Sequence, residues 1–464
     1  MQAPSSIETS YGGGSAGTLM HPLVAVAMVA AIVGLMKLPR RYAVVPLLLA
    51  LFLLPVGQQL HIAGVHFYVP RILVMFGVAR LISAKGRSKG PIFVGGWNGL
   101  DTLFTCCTVV HAVAIVLLNL GNISALINEV ATIWDTLGGY LIFRYLIRDV
   151  DDIKLIAKTF ACIAAVIGFT MVIERTKMLN VFGYFGSLDI TPQMRGDKIR
   201  AQGPFEHPLL AGAFGATVVP LFVWLWKSKE SRKYAITGIL GSTAMVLATA
   251  SSTPLLSYVA GIVAIMFWPI RKNMRVVRWA VVLALVGLDL VMKAPVWFLI
   301  ARIDIVSGSS GFHRAELIDT FVRHFNEWWL IGTKNAANWG FEMQDTCNEW
   351  VEMGETGGLA TLLCFVLLVV RSFSRIGKAR KRAFQDHDRA WLIWLVGAAL
   401  FAHAVAFYGI SYFDQTKFSW FALLCMISVV TAPKQSAILS PKPQASWNSV
   451  KEEKRLQVTT AIGA

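Results

Sequence analysis

The sequence predicts an all-α fold, a polytopic bundle of about 12 to 13 transmembrane helices with interfacial amphipathic helices in a long outer loop. Three observations carry this. Hydrophobic residues make up 55% of the 464 positions and charged residues only 15%, a balance that places the chain with multi-pass membrane proteins. Apolar runs of about 17 to 25 residues recur along it, the length that crosses a hydrocarbon core about 30 Å thick. Lysine and arginine concentrate in alternate connections between those runs, as the positive-inside rule requires.

In chain order, residues 19–36 form the first expected span. Residues 1–20 hold no lysine or arginine and no clear small-residue cleavage site follows, so this segment is expected to be a retained helix rather than a signal peptide. Spans at 42–57, 66–84, 101–120, 129–147 and 155–173 follow, and then a first outer segment at 174–207. Four more spans, 208–226, 235–250, 254–270 and 277–298, lead to a second outer segment at 299–356. The last spans are 357–371, 390–408 and 418–432. From residue 433 the apolar periodicity is lost, so the chain divides into a membrane domain, 1–432, and an expected disordered cytoplasmic tail, 433–464.

The basic stretches KLPRR (37–41), KGRSK (85–89), RDVDDIK (148–154), KSKESRK (227–233), RKNMR (271–275) and RSFSRIGKARKR (371–382) all fall on one side of this alternation. That side is expected to be cytoplasmic, with the amino terminus outside. The net charge of +16 is then a topology signal plus attraction to anionic headgroups, not a nucleic-acid footprint. Five of the six cysteines, Cys106, Cys107, Cys162, Cys364 and Cys425, lie in expected spans, and Cys347 alone lies in an outer loop, which supports no disulfide framework. No HExxH, paired CxxC, P-loop or dinucleotide fingerprint occurs, so no cofactor and no metal is expected.

The outer segments concentrate the titratable groups. In the first, Arg195, Lys198 and Arg200 precede His207 and Pro208. Pro208 suits the first turn of a helix, whose free N–H groups and partial positive charge favour an anion. In the second, GFHRAELIDTFVRHFNEWW (311–329) reads as an amphipathic helix with Phe312, Ala315, Ile318, Phe321, Val322 and Phe325 on one face and His313 and Arg314 beside it. Asp345, Asn348, Glu349, Glu352 and Glu355 then crowd the mouth of an apolar helix, which is costly unless they line water or a polar substrate. Arg71, in YVPRI, starts another helix on the same side and can join an anion site.

Each candidate has a plainer reading. Arg200, Arg314, Arg323 and Lys198 can anchor helices at the headgroups, His207 can cap a helix, and His313 and His324 can be surface residues. Trp328, Trp329 and Trp350 suit an aromatic belt, Ser251, Ser252 and Thr253 suit a cap between two helices, and Arg144 and Arg148 serve topology.

The ordered set Arg200, Gly203, His207, Pro208, then SSTPLLSYVAG (251–261), then a large outer loop with an arginine helix and CNEWVEMGETGGL (347–359), resembles the O-antigen ligase and polymerase superfamily over about residues 195–370. RRYAVVPLLLALFLLP and FYVPRILVMFGVARLI, within 40–82, also resemble exopolysaccharide polymerases of this group. The resemblance implies a GT-C-like glycosyltransferase of the bacterial inner membrane, acting at its periplasmic face on a polyprenyl-diphosphate-linked glycan donor. The glycan goes to a sugar hydroxyl, on a growing polymer or, in a ligase, on lipid A core. It implies arginines on the diphosphate, with Arg200 and Arg314 catalytic and Arg71, Arg195, Lys198, His313, Asp345 and Asn348 binding substrate. Where many ligases carry His-Asn, this chain has Cys347-Asn348. A thiol is a poor base unless its pKa is lowered, so base duty passes to Glu349, Asp345, His313 or His207. Polymerase is therefore the favoured expectation and ligase the alternative. A polyprenyl-glycan flippase or secondary transporter is the reading of another class, which would call for ionisable residues such as Asp135 and Asp289 in mid-membrane.

Overall fold

The computed structural model describes residues 18–62, 65–87, 90–302 and 311–433. The expected tail from residue 434 and residues 303–310 of the second long segment lie outside the described residues. Every expected span is occupied by helix. The first helices are α1 (Pro22–Lys37), α2 (Val44–Leu53), α3 (Val69–Arg87) and α4 (Gly99–Leu118). Then α5 (Ile123–Ile133) runs through a π-helical turn at Trp134–Gly138 into α6 (Gly139–Leu146), followed by α7 (Val150–Lys177). Next come α8 (Pro208–Leu225), α9 (Arg232–Ala248), α10 (Ser252–Met266) and α11 (Met274–Val291). The second long segment holds α12 (Leu299–Arg302), α13 (Gly311–Arg323) and α14 (Phe325–Trp328), and the chain closes with α15 (Glu349–Arg382), α16 (His387–Ala406) and α17 (Thr416–Thr431).

The expectation of about 12 to 13 comparable spans is narrowed by these lengths. Five helices, α4, α7, α8, α15 and α16, are long and apolar enough to cross a membrane, and residues 271–302 form a sixth such stretch bent by 99°. Helices α1, α2, α10 and α17 are apolar but shorter. Local chemistry sets these limits. Leu54 is extended ahead of Pro55, as a residue before proline prefers, and α2 ends there. The bend after α11 is held by Asp289, whose Oδ1 accepts from the Val296 N–H at 2.9 Å. No residue of α11 is buried.

Helices α7 and α9 meet at Gly168 and Gly241. A Cβ on either would run into the other helix's backbone carbonyl, so the two backbones touch only because both side chains are absent. Two short antiparallel hairpins, β1–β2 (Gln59–Ile62 with Val65–Tyr68) and β3–β4 (Gln193–Arg195 with Lys198–Arg200), were not expected. Hairpins this short leave no apolar periodicity to read.

The loops gather at two ends. At the basic end, the Arg40 guanidinium donates to the Asp152 carboxylate at 2.7 Å, and Arg375 donates to Asn98 at 2.9 Å. Arg144 sits there fully buried. Its Nε donates to Asp101 Oδ1 at 2.9 Å, its Nη2 donates to the Val94 and Gly96 carbonyls, and the Tyr140 hydroxyl donates to the same Asp101 oxygen at 2.6 Å. Asp101 also accepts from the Asn98 N–H in the capping box that starts α4. Arg144 is thus an internal tie between α4 and α6 rather than a surface topology charge.

At the other end, the loop end, residues 54–59, 180–187, 201–204, 346–349 and 407–415 are stitched together. Val56 donates to the Pro204 carbonyl, Gln58 to Phe185 and Ser187, Gln415 to Leu54 and Pro204, and Ser411 to Thr346.

Candidate functional site

The stretch 200–208 is held by its neighbours before its own side chains act. The Glu174 carboxylate, near the end of α7, accepts from the Gln202 N–H at 3.0 Å and the Gly203 N–H at 2.8 Å. The Asn180 amide donates to the Gly203 carbonyl at 3.1 Å. Gly203 itself has φ +60°, a conformation that glycine adopts without strain. The turn aims Arg200, last residue of β4, inward. Its side chain is only 8% exposed, its Nη2 donates to Ser251 Oγ at 3.1 Å, and its buried Nε has no acceptor. Ser251 makes no side-chain cap for α10; it orients the arginine instead.

His207 is the N-cap of α8: its Nδ1 accepts from the Leu209 N–H at 3.2 Å. Burial, then the Arg200 charge, push its pKa down to about 4, so the ring is neutral at pH 7 and carries its proton on Nε2. With Nδ1 occupied by the Leu209 N–H, the ring presents Nε2–H to the site as a donor.

From the second segment, α13 brings Arg314. The expected apolar face of this helix is corrected. Phe312 is 63% exposed and Val322 and Phe325 are also exposed, while Arg314, Ala315, Leu317 and Phe321 face inward. Arg314 is 6% exposed, and its buried Nε has no partner. Trp328 stacks on Phe321 and Trp350 packs against Phe365 and Phe407, so these two indoles serve the interior rather than a belt; Trp329 remains exposed.

The two segments converge. Arg200, Arg195 on the β3–β4 turn and Arg314 lie within electrostatic range of one another and of His207, and Asp345 acts on His207 and Arg314. Burial, followed by its like-charged neighbours, lowers the Arg200 pKa to about 10; burial lowers that of Arg314 as well. A guanidinium with a pKa near 10 is still charged at pH 7. Among the described residues, none of these three arginines forms a salt bridge. Lys198 stands half-buried on the same hairpin.

Facing them is the start of α15. Asn348 is its N-cap, its Oδ1 accepting from the Trp350 and Val351 N–H groups. Glu349 is buried and its Oε2 accepts from the Tyr412 N–H at 2.5 Å, latching the α16–α17 connection onto α15. Glu355 accepts from the Thr346 hydroxyl at 2.9 Å. The Cys347 thiol donates to Asp345 Oδ1 at 3.2 Å, and burial, with Asp345 next, pushes it up to about 12. It is a thiol at neutral pH, in keeping with its poor prospects as a base. His313 reaches the Asp345 carbonyl at 3.4 Å, so its ring lies at the edge of the cluster. Helix α15 breaks at Gly358 (φ +72°), where the Leu330 carbonyl and the Leu359 N–H bond to Trp329 dock the α14 turn; the carboxylates therefore sit on a separate short helical piece.

Arg71 does not join the cluster as a free cation. Its Nη2 donates to Asp135 Oδ2 at 2.8 Å and its Nε donates to both carboxylate oxygens, so its charge is neutralised at the π-helical turn. Ser251, expected as a helix cap, instead accepts from Arg200; sequence reasoning missed the connection 407–415, which touches both segments through Gln415, Ser411 and Tyr412. The only signal for it was a short polar turn, YFDQ (412–415), between two apolar runs.

No protein-family model, curated protein or solved structure matches this chain.

Proposed function

We propose that this protein is a membrane glycosyltransferase that moves a polyprenyl-diphosphate-linked oligosaccharide onto a sugar hydroxyl at the outer face of the bacterial inner membrane, extending a surface polysaccharide. The observation that carries the reading is the pair Arg200 and Arg314. Two buried, charged guanidinium groups with no salt bridge among the described residues are expensive, and a bound polyanion would relieve that cost. They lie at one end of an apolar helical bundle, where a lipid-borne diphosphate would present itself. A diphosphate leaving group drives transfer without nucleotide, and donors aimed at its growing charge lower the barrier.

Ligation to lipid A core uses the same donor site. Cys347, a protonated thiol where many ligases carry histidine, favours polymerisation. Deletion of the gene separates the two: single repeat units on the acceptor mean polymerase, and full-length glycan stranded on the carrier means ligase. Against transport stand the partners of the intramembrane acids, since Asp135 is bound to Arg71 and Asp289 to the backbone of Val296.

Purified protein in nanodiscs is expected to elongate a synthetic polyprenyl-diphosphate oligosaccharide with no ion gradient and to keep full activity in excess chelator, because arginines supply the phosphate charge balance. Loss of product in chelator, restored by Mg²⁺ or Mn²⁺, would refute the metal-independent part of this reading.

A further inference from the structure

We propose that Arg271 and Arg380 form a headgroup site for an anionic phospholipid of the bilayer, at the basic end of the bundle. The connection WPIRKN (268–273) joins α10 to α11. Arg380, near the end of α15, donates from Nη1 to the Arg271 carbonyl, so the two segments meet there. The guanidinium carbon of Arg271 stands 4.0 Å from the centre of the Trp268 ring, and its Nη1 donates to the Trp268 carbonyl at 2.9 Å. That of Arg380 stands 5.4 Å from the centre of the Trp394 ring. The two indoles are themselves fixed. Their rings meet at 5.8 Å, Trp391 closes edge-on upon Trp268 at 4.9 Å, and the Trp394 Nε1 donates to the Ala264 carbonyl at 2.9 Å. Two guanidinium groups set on a rigid aromatic shelf have little rotamer freedom left to lose to a ligand.

Each of these arginines spends Nη1 on a carbonyl. Among the described residues, Nε and Nη2 of each have no partner and are not enclosed, which leaves the planar edge that takes two phosphate oxygens. No carboxylate is at hand to use it. Residues 264–282 contain none, and those of 371–394 are committed, Asp388 to Lys227 and Asp386 to the Arg389 N–H at the start of α16. Further like charge comes from Arg278, which lies within electrostatic range of Arg380. The complement of such a site is a phosphate, and its surroundings point to a lipid as the carrier. Helix α11 begins beside it, is apolar and has no buried residue, with Val276, Trp279 and Leu283 all exposed. Acyl chains can therefore lie along α11 while the phosphate rests on Arg271 and Arg380, as in basic pockets between membrane helices. A soluble phosphate has no use for that apolar flank.

The test is titration of the full-length protein in detergent with phosphatidylglycerol or phosphatidylcholine, read as the apparent Kd of the first bound lipid by native mass spectrometry, with thermal unfolding of each variant in lipid-free detergent. Arg271→Gln removes one fork and leaves the Arg380 bond to the Arg271 carbonyl in place. The expected result is tighter binding of phosphatidylglycerol than of phosphatidylcholine by wild type, a loss of that affinity of about tenfold in Arg271→Gln and in Arg380→Gln, and an unchanged unfolding temperature. The pair Lys381→Gln/Arg382→Gln, which removes charge from exposed neighbours, is expected to leave the affinity as it was. Equal affinity of wild type for the two lipids overturns the proposal. So does an equal loss in the Lys381/Arg382 variant, which would make the attraction diffuse, and so does a loss that appears only with a lowered unfolding temperature. Displacement of phosphatidylglycerol by an equal concentration of inorganic phosphate would assign the site to a soluble anion and overturn the lipid reading.

Discussion

Replacement of Arg200 by alanine is expected to lower the proposed glycan transfer by about a hundredfold to a thousandfold at matched membrane expression, the range seen when one preorganised donor to a developing anion is removed. Arg314→Ala falls in the same range. The reasoning is electrostatic. Each guanidinium is buried and forms no salt bridge among the described residues, so the diphosphate of the proposed donor would meet a field that is already oriented and partly free of water. Arg200→Lys recovers only part of the activity, since the ammonium keeps the charge but not the planar fork that Ser251 Oγ orients. Ser251→Ala leaves the charge and removes only that tether, so its loss is smaller than that of Arg200→Ala. The double variant Arg200→Ala/Arg314→Ala loses less than the product of the single losses if both donors hold one diphosphate. Near wild-type transfer by Arg200→Ala would remove the catalytic reading of this residue and leave it a helix anchor.

Asp101→Ala unfolds the basic end of the bundle. Arg144 and Asp101 are both essentially inaccessible, and Asp101 accepts from Arg144, Tyr140 and the Asn98 N–H together. Removing the carboxylate strands a buried cation and opens the cap of α4, for which a cost of about 3 to 5 kcal/mol is expected. Detergent-solubilised Asp101→Ala is therefore expected to lose its unfolding transition at temperatures where wild type keeps it, in a thermal-shift or aggregation assay. Arg144→Met with Asp101→Leu, which removes both charges, should recover most of that loss, because an apolar pair of similar volume carries no desolvation penalty. A single Asp101→Ala variant as heat-resistant as wild type would show that the pair contributes nothing net. The proposed transfer site lies at the opposite end, so a folded double variant is expected to retain whatever transfer the wild type shows.

The helices were legible because their signal is local. Segments such as 208–226 and 390–408 are apolar over a length that only a helix can satisfy in lipid, and α8 and α16 lie there within a few residues. The cues for caps were equally local: Pro208 at the first turn of α8 was readable from one dipeptide. The breaks were less so. Whether 129–147 runs as one span depends on Asp135 finding Arg71, a partner 64 positions away, and the interruption of α15 at Gly358 depends on the docking of residues 329–331.

For the site, composition and placement singled out Arg200, His207, Arg314, Asp345 and Glu349 because charged groups at the mouths of apolar helices demand a reason. Their individual fates were not in the sequence. Arg71 and Arg314 both begin helices beside aromatic residues, yet one is neutralised by a bidentate carboxylate and the other forms no salt bridge among the described residues. Glu349 and Glu355 stand on the same short piece of α15, yet one is spent on the Tyr412 N–H and the other on the Thr346 hydroxyl. Sequence alone determined that this chain is a helical membrane protein with cationic and acidic groups in two long connections, because burial of apolar length and the cost of charge in lipid act residue by residue. Tertiary structure alone decided which of those charges are paired, since pairing is a matter of which distant segment, here 248–251, 134–138 or 407–415, comes within hydrogen-bonding distance of each.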